Sequence, residues 1–299
     1  MHRSPAIEVE KQNEYTKNYG EPKKIMTKKP SVTIYIHGTL PPTTMLRVPF
    51  ISRFFRCPQG LTSLSHLSDS HIVDALTHLC THHADEYPLE HCYVFGWPGS
   101  LAPAARKDAA FDLYKCLADL KKDYAQRGLF PSITLLTHSH GGNVALWLKK
   151  IADTYDNPAD LTIETLIMLA CPVQLDTAEY AQGSLFMNVY SLHSHHDILQ
   201  VIDPQGLHAF LDALKNCGLE FTLAHLKQLG PFFSERHFPH GSKVRQLKVK
   251  YSHRDLFHIE FLLPPFMVEL PILIEKMKQL SPDSLENDLV HVINALEKT

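Results

Sequence analysis

A chain of 299 residues with 44% apolar content is long enough to bury a large core. A formal net charge of −3 and an isoelectric point near 6.7 leave no basic surface of the kind a nucleic acid requires, so that class of partner is excluded. The longest apolar run, residues 261–274, is interrupted by Pro264, Pro265, Glu269 and Pro271 and cannot be a membrane-spanning helix.

Residues 1–30 alternate Lys, Glu, Asn, Tyr and Pro and lack the apolar stretch of a signal peptide, which predicts a flexible polar tail on a soluble, cytoplasmic protein. The six cysteines are widely spaced, form no C-x-x-C pair and fall in apolar patterns, the usage of a reducing compartment. Residues 31–299 read as one domain. Val32 to Ile36 is a short strand opening into His37-Gly38-Thr39. Residues 40–70 form an insertion with four prolines and an apolar set that includes Phe50, Phe54 and Phe55. These side chains either line a pocket or complete the core at one edge, and a dip of residues 45–55 into lipid would make a peripheral membrane contact.

A helix is predicted from His71 to Cys80 and a strand from His91 to Phe95, closed by Gly96-Trp97-Pro98-Gly99. Ala110, Leu113, Leu117, Leu120 and Tyr124 recur at spacings of three and four, the face of an amphipathic helix that stops at Gly128. Ile133 to Thr137 is then a strand, His138 to Gly142 a compact turn, and the apolar run after it a buried helix. Three further strands are expected at 163–170, 185–192 and 244–251, giving about six in a doubly wound, mainly parallel α/β sheet. Between the last two, residues 204–243 describe two short amphipathic helices. Leu285, Leu289, Val292, Ile293 and Leu296 have the spacing of a C-terminal amphipathic helix.

The strand, turn and helix around Thr137-His138-Ser139-His140-Gly141 match the nucleophile elbow G-x-S-x-G, with Thr137 in the first glycine position. With the Ile36-His37-Gly38-Thr39 turn and a later acid and histidine, the chain resembles the lipase and serine-esterase branch of the α/β-hydrolase superfamily over most of residues 31–280. That resemblance implies Ser139 as nucleophile, and the backbone amides of Thr39 (or Leu40) and His140 as the oxyanion hole. It places the acid after the strand at 185–192, where Asp197 stands, with Asp203 and Asp176 as alternatives. The base follows the last of these strands as His258, or else His253. It also makes 204–243 a cap or lid, against the alternative of a helical pair fixed to the sheet flank.

A serine activated by an imidazole that is oriented by a carboxylate cleaves carboxylic esters through an acyl-enzyme. The expected activity is therefore that of an esterase or lipase on a small-molecule or lipid ester, with no cofactor, rising with pH as the imidazole loses its proton. A thioesterase or phospholipase with the same three residues, and a non-catalytic binding protein of the same fold, are the alternatives. Twenty histidines raise the question of metal, with His193, His195, His196 and Asp197 in one loop and His82, His83 and Asp85 in another. Neither group has zinc-site spacing, and no metal is expected. His138 and His140 read as side chains filling the elbow, and Trp97 as packing at a strand end. The oligomeric state leaves no trace in the sequence.

Overall fold

A computed structural model describes residues 29–40, 53, 57–68, 70–195, 197, 237–239, 243–252, 254–279 and 290–293 of the chain. Among the described residues eight strands form one sheet: β1 Ser31–Ile36, β2 Gly60–Ser63, β3 Cys92–Gly96, β4 Ser132–His138, β5 Ile163–Leu169, β6 Phe186–His193, β7 Val244–Tyr251 and β8 Val290–Ile293. Their spatial order is β2-β3-β1-β4-β5-β6-β7-β8. Every neighbouring pair is parallel except β2 with β3.

Among the described residues four α-helices cover the faces: α1 His71–His82, α2 Pro103–Gln126, α3 Gly141–Thr154 and α4 Pro264–Lys278. Strand alternation sorts the core into two layers. Val32, Ile34 and Ile36 of β1 join a cluster with Leu113 and Leu117 of α2 and Val144 and Leu148 of α3. Tyr35, one residue out of step, joins Leu76 and Leu79 of α1 with Phe266 and Leu270 of α4. α2 packs on α3 and α1 on α4, so the sheet is sandwiched between two helix pairs. This doubly wound, mainly parallel sheet with its strand-turn-helix at β4–α3 is the α/β-hydrolase fold.

The helix ends follow local chemistry. Ser70 accepts a hydrogen bond from the Val73 amide and caps α1, Pro103 starts α2 at a position where its missing N–H costs nothing, and Gly128 takes φ +70° just past the end of α2. Two expectations are corrected. Among the described residues the sheet has eight strands where about six were expected, because β2 and β8 are four-residue edge elements too short to carry a periodic signal. Residues 290–293 also do not continue a C-terminal amphipathic helix: they pair in parallel with β7, Lys248 opposite Val290 through Tyr251 opposite Ile293. Residues 1–28, the phenylalanines at 50, 54 and 55, most of the 204–243 insertion, Asp203 and His253 lie outside the described residues. Among the described residues no helix is long and apolar enough to cross a membrane.

Candidate active site

β4 runs into the elbow at the centre of the sheet. Ser139 adopts φ +53°, a left-handed conformation that costs a non-glycine residue about 1–3 kcal/mol and persists only where the surroundings enforce it. The enforcement is visible. The Ser139 amide donates to the Leu169 carbonyl at 2.9 Å, the Ser139 carbonyl accepts from Gly142 at 3.0 Å, and α3 begins two residues after the serine. A Cβ on Gly141 would lie 2.4 Å from the Ile36 carbonyl oxygen, and one on Gly142 would lie 2.4 Å from Cys171 Sγ. Only hydrogen at both positions lets the helix leave the turn so close to β1 and β5. Thr137, where the elbow pattern has its first glycine, is buried and donates its hydroxyl to the Ile167 carbonyl at 3.1 Å, so its side chain is spent on β5.

The loop after β1 lies against the serine. A Cβ on Gly38 would sit 2.6 Å from Ser139 Cβ and 3.3 Å from its Oγ. His37 donates from Nδ1 to the Gly38 carbonyl at 2.6 Å and accepts at Nε2 from the Trp97 amide at 3.1 Å. The Trp97 indole donates to the His37 carbonyl at 2.7 Å. His37 is therefore a neutral structural imidazole, and burial pushes its pKa down to about 4. Trp97 is buried, as its place at a strand end suggests, and ties this loop to the one after β3. Leu40 donates its amide to the Gly99 carbonyl at 3.0 Å. That engagement takes up the Leu40 amide, one of the two expected there. Thr39 Oγ1 is buried and has no hydrogen-bond partner among the described residues.

Two more elements converge on the elbow. Asp197, in the turn after β6, is 1% exposed, and its carboxylate accepts from His258 Nδ1 at 2.7 Å. His258 opens the 3-10 turn His258–Leu262 that leads into α4. Its backbone carbonyl accepts from His138 Nε2 at 3.0 Å, and the two rings are 4.6 Å apart between centroids. This contact fastens the His258 turn to the residue immediately before Ser139. His138 is held neutral, its pKa well below the ordinary histidine value, through burial first and then the proximity of His258 and His37. Asp176 sits exposed in the turn after β5. Of Asp176 and Asp197, the two candidate acids among the described residues, Asp197 is the one seated against His258.

The sequence pointed to Ser139 through the elbow pattern and to Asp197 and His258 through the resemblance, whereas the tie from His138 to His258 left no signal, because it joins a side chain to a backbone carbonyl. The loop histidines take other partners: His193 Nε2 lies 3.2 Å from His237 Nε2, and His83 Nε2 bonds the Val268 carbonyl. Among the described residues no group of three or more His, Cys, Asp and Glu side chains is placed to hold a metal ion.

No protein-family model matches the chain, and no curated protein matches it in sequence. Solved structures with a similar arrangement include a hyperthermophilic esterase from the archaeon Pyrobaculum calidifontis, at 14% identity and TM-score 0.37, covering 84% of this chain and 73% of that one. An esterase from Rhizomucor miehei matches at 10% identity and TM-score 0.41, covering 86% and 77%. Carboxyl esterase 2 from Tuber melanosporum matches at 9% and 0.42, covering 84% and 77%. Identities this low do not bear on substrate.

Proposed function

We propose that the protein is a serine hydrolase of carboxylic esters. One observation carries this reading: a buried carboxylate bonded at 2.7 Å to an imidazole Nδ1, on a turn that is itself bonded to the residue preceding a serine held at positive φ. Asp197 fixes the tautomer of His258 with its proton on Nδ1, leaving Nε2 free to accept. Ser139 Oγ attacks the ester carbonyl carbon while its proton passes to His258 Nε2. The carbonyl oxygen becomes an oxyanion, received by the Thr39 and His140 amides near the positive end of α3. The carbon–oxygen bond to the alcohol then breaks, and His258 returns the proton to the departing oxygen. Water attacks the acyl-serine, gives its proton to His258, and the acid leaves as Ser139 regains that proton.

The preferred acyl group in this reading is apolar. Phe257 and Ile259, on either side of His258, are 57% and 43% exposed and would offer an acyl chain apolar surface. Hydrolysis of p-nitrophenyl esters with acyl chains of two to about twelve carbons tests the reading. Wild type is expected to turn over with a preference for chains longer than acetyl, and Ser139→Ala to lose at least about 10³-fold in kcat. Turnover by Ser139→Ala equal to wild type would assign the activity to another residue.

A further inference from the structure

Among the described residues only two Asp, Glu, Lys or Arg side chains are buried, Asp197 and Arg106. Both lead to the elbow. Asp197 reaches it through His258, as above. Arg106, in the first turn of α2 and 0% exposed, donates from one Nη1 to the Leu101 carbonyl and to His140 Nδ1, each at 3.3 Å. A guanidinium has no acceptor, so His140 Nδ1 is the acceptor and its ring proton is on Nε2.

The same ring nitrogen lies 3.5 Å from Asn143 Nδ2. Asn143 is fixed in turn, donating to the Pro172 carbonyl at 3.0 Å and accepting at Oδ1 from the Thr177 hydroxyl at 2.6 Å. The residue after the nucleophile is thus gripped from α2, from α3 and from the loop after β5. A fully enclosed cation is costly to keep out of water and gains most where negative charge develops nearby. Its charge is felt at one neighbour: burial pushes the Cys171 thiol up to about 12, with Arg106 drawing it the other way.

We infer that Arg106 is a positioning residue for the oxyanion hole. Its hydrogen bond fixes His140, whose amide receives the oxyanion, and its charge favours the anionic tetrahedral intermediate over the neutral ester. This inference rests on the hydrolase reading with Ser139 as nucleophile. It asks more than a structural buttress would, because the charge acts on the transition state and not on ester binding.

The test compares wild type with Arg106→Lys, which keeps the charge, Arg106→Gln, which keeps a donor without it, and Arg106→Met, which keeps neither. Kinetics are expressed per site titrated by a fluorophosphonate, so that a misfolded fraction drops out. Arg106→Gln and Arg106→Met should lower kcat about 10- to 100-fold, below the loss for deleting an oxyanion donor outright, with KM within about threefold. Inhibition by phenylboronic acid, whose adduct with Ser139 is a tetrahedral anion, should weaken in parallel, and Arg106→Lys should recover most of both. Nitrogen-15 NMR should show His140 protonated on Nε2 in wild type and losing that preference in Arg106→Met. Unchanged kcat and boronate affinity per titrated site in the Gln and Met variants would overturn the inference while leaving the hydrolase standing. A folded wild type that neither hydrolyses esters nor reacts with the fluorophosphonate would remove both.

Discussion

Ser139 is presented by what its neighbours lack. Gly38, Gly141 and Gly142 each occupy a place where a Cβ would strike the serine side chain, the end of β1 or Cys171, and Ser139 holds its strained positive φ among them. The Asp197–His258 pair carries the sharpest residue-scale prediction. Asp197→Asn keeps the shape of the side chain but can stabilise the wrong imidazole tautomer, so kcat should fall about 10⁴-fold with a much smaller change in KM. Steady-state kinetics on a p-nitrophenyl ester check this, and a loss below about tenfold would mean that another acid serves His258. At this scale the chain order serine, acid, histidine, which the resemblance supplied, pointed to Asp197 and His258, and those two side chains meet. Arg106 was invisible, since Arg106-Lys107-Asp108 reads as the polar start of a helix, and only the packing of α2 on α3 turns the arginine inward.

At the scale of elements, the turn between β7 and α4 is what aims His258. Arg254 forms a two-pronged ion pair with Glu260, at 2.7 and 2.6 Å, and the same carboxylate accepts the Phe257 amide at 2.7 Å. The Arg254 guanidinium also lies over the rings of Tyr251 and Phe257, and its carbonyl accepts the Tyr251 amide at 2.7 Å. A bidentate pair of this kind, partly exposed, adds geometry more than stability. Glu260→Gln should therefore lower kcat about three- to tenfold while moving Tm by no more than about 2 °C, as kinetics and thermal melts would show. A melt that drops steeply with kcat unchanged would make the pair a structural one. Buried strands such as Val32–Ile36 and Ile133–Thr137 were legible because both faces are apolar. β2 and β8 were not: Gly60–Ser63 carries one large apolar residue, and the spacing around Val292 fits a helix as well as a strand. Pairing at the free edge of β7 decides that choice, and edge pairing leaves no local pattern.

For the whole molecule, the two-layer core encloses histidines that the folded state keeps neutral. Burial lowers the pKa of both His37, to about 4, and His138. In the unfolded chain a histidine takes up its proton near ~6.5. Below that pH the unfolded state binds protons that the folded state refuses, so the stability these groups contribute is complete above pH ~6.5 and is lost as pH falls toward the folded values. For His37 the loss is on the order of 3 kcal/mol. The urea midpoint should fall between pH 7 and pH 5, and fall less in His37→Gln. A midpoint constant over that interval would show that the folded protein admits the protons. The α/β class and the order of its central elements were legible from the alternation of strands with amphipathic helices. The sorting of the helices into two pairs was not, because it depends on which strand residues face which way once the sheet is assembled.

The most direct measurement is intact mass after exposure to a fluorophosphonate, for wild type, Ser139→Ala and His258→Ala. With Ser139 as an activated nucleophile, wild type gains one phosphonyl group, mapped to Ser139 by peptide sequencing, Ser139→Ala gains none, and His258→Ala reacts more slowly by at least about 10²-fold. A folded wild type that gains no mass, or equal modification of Ser139→Ala, would contradict the assignment of Ser139 as the catalytic nucleophile.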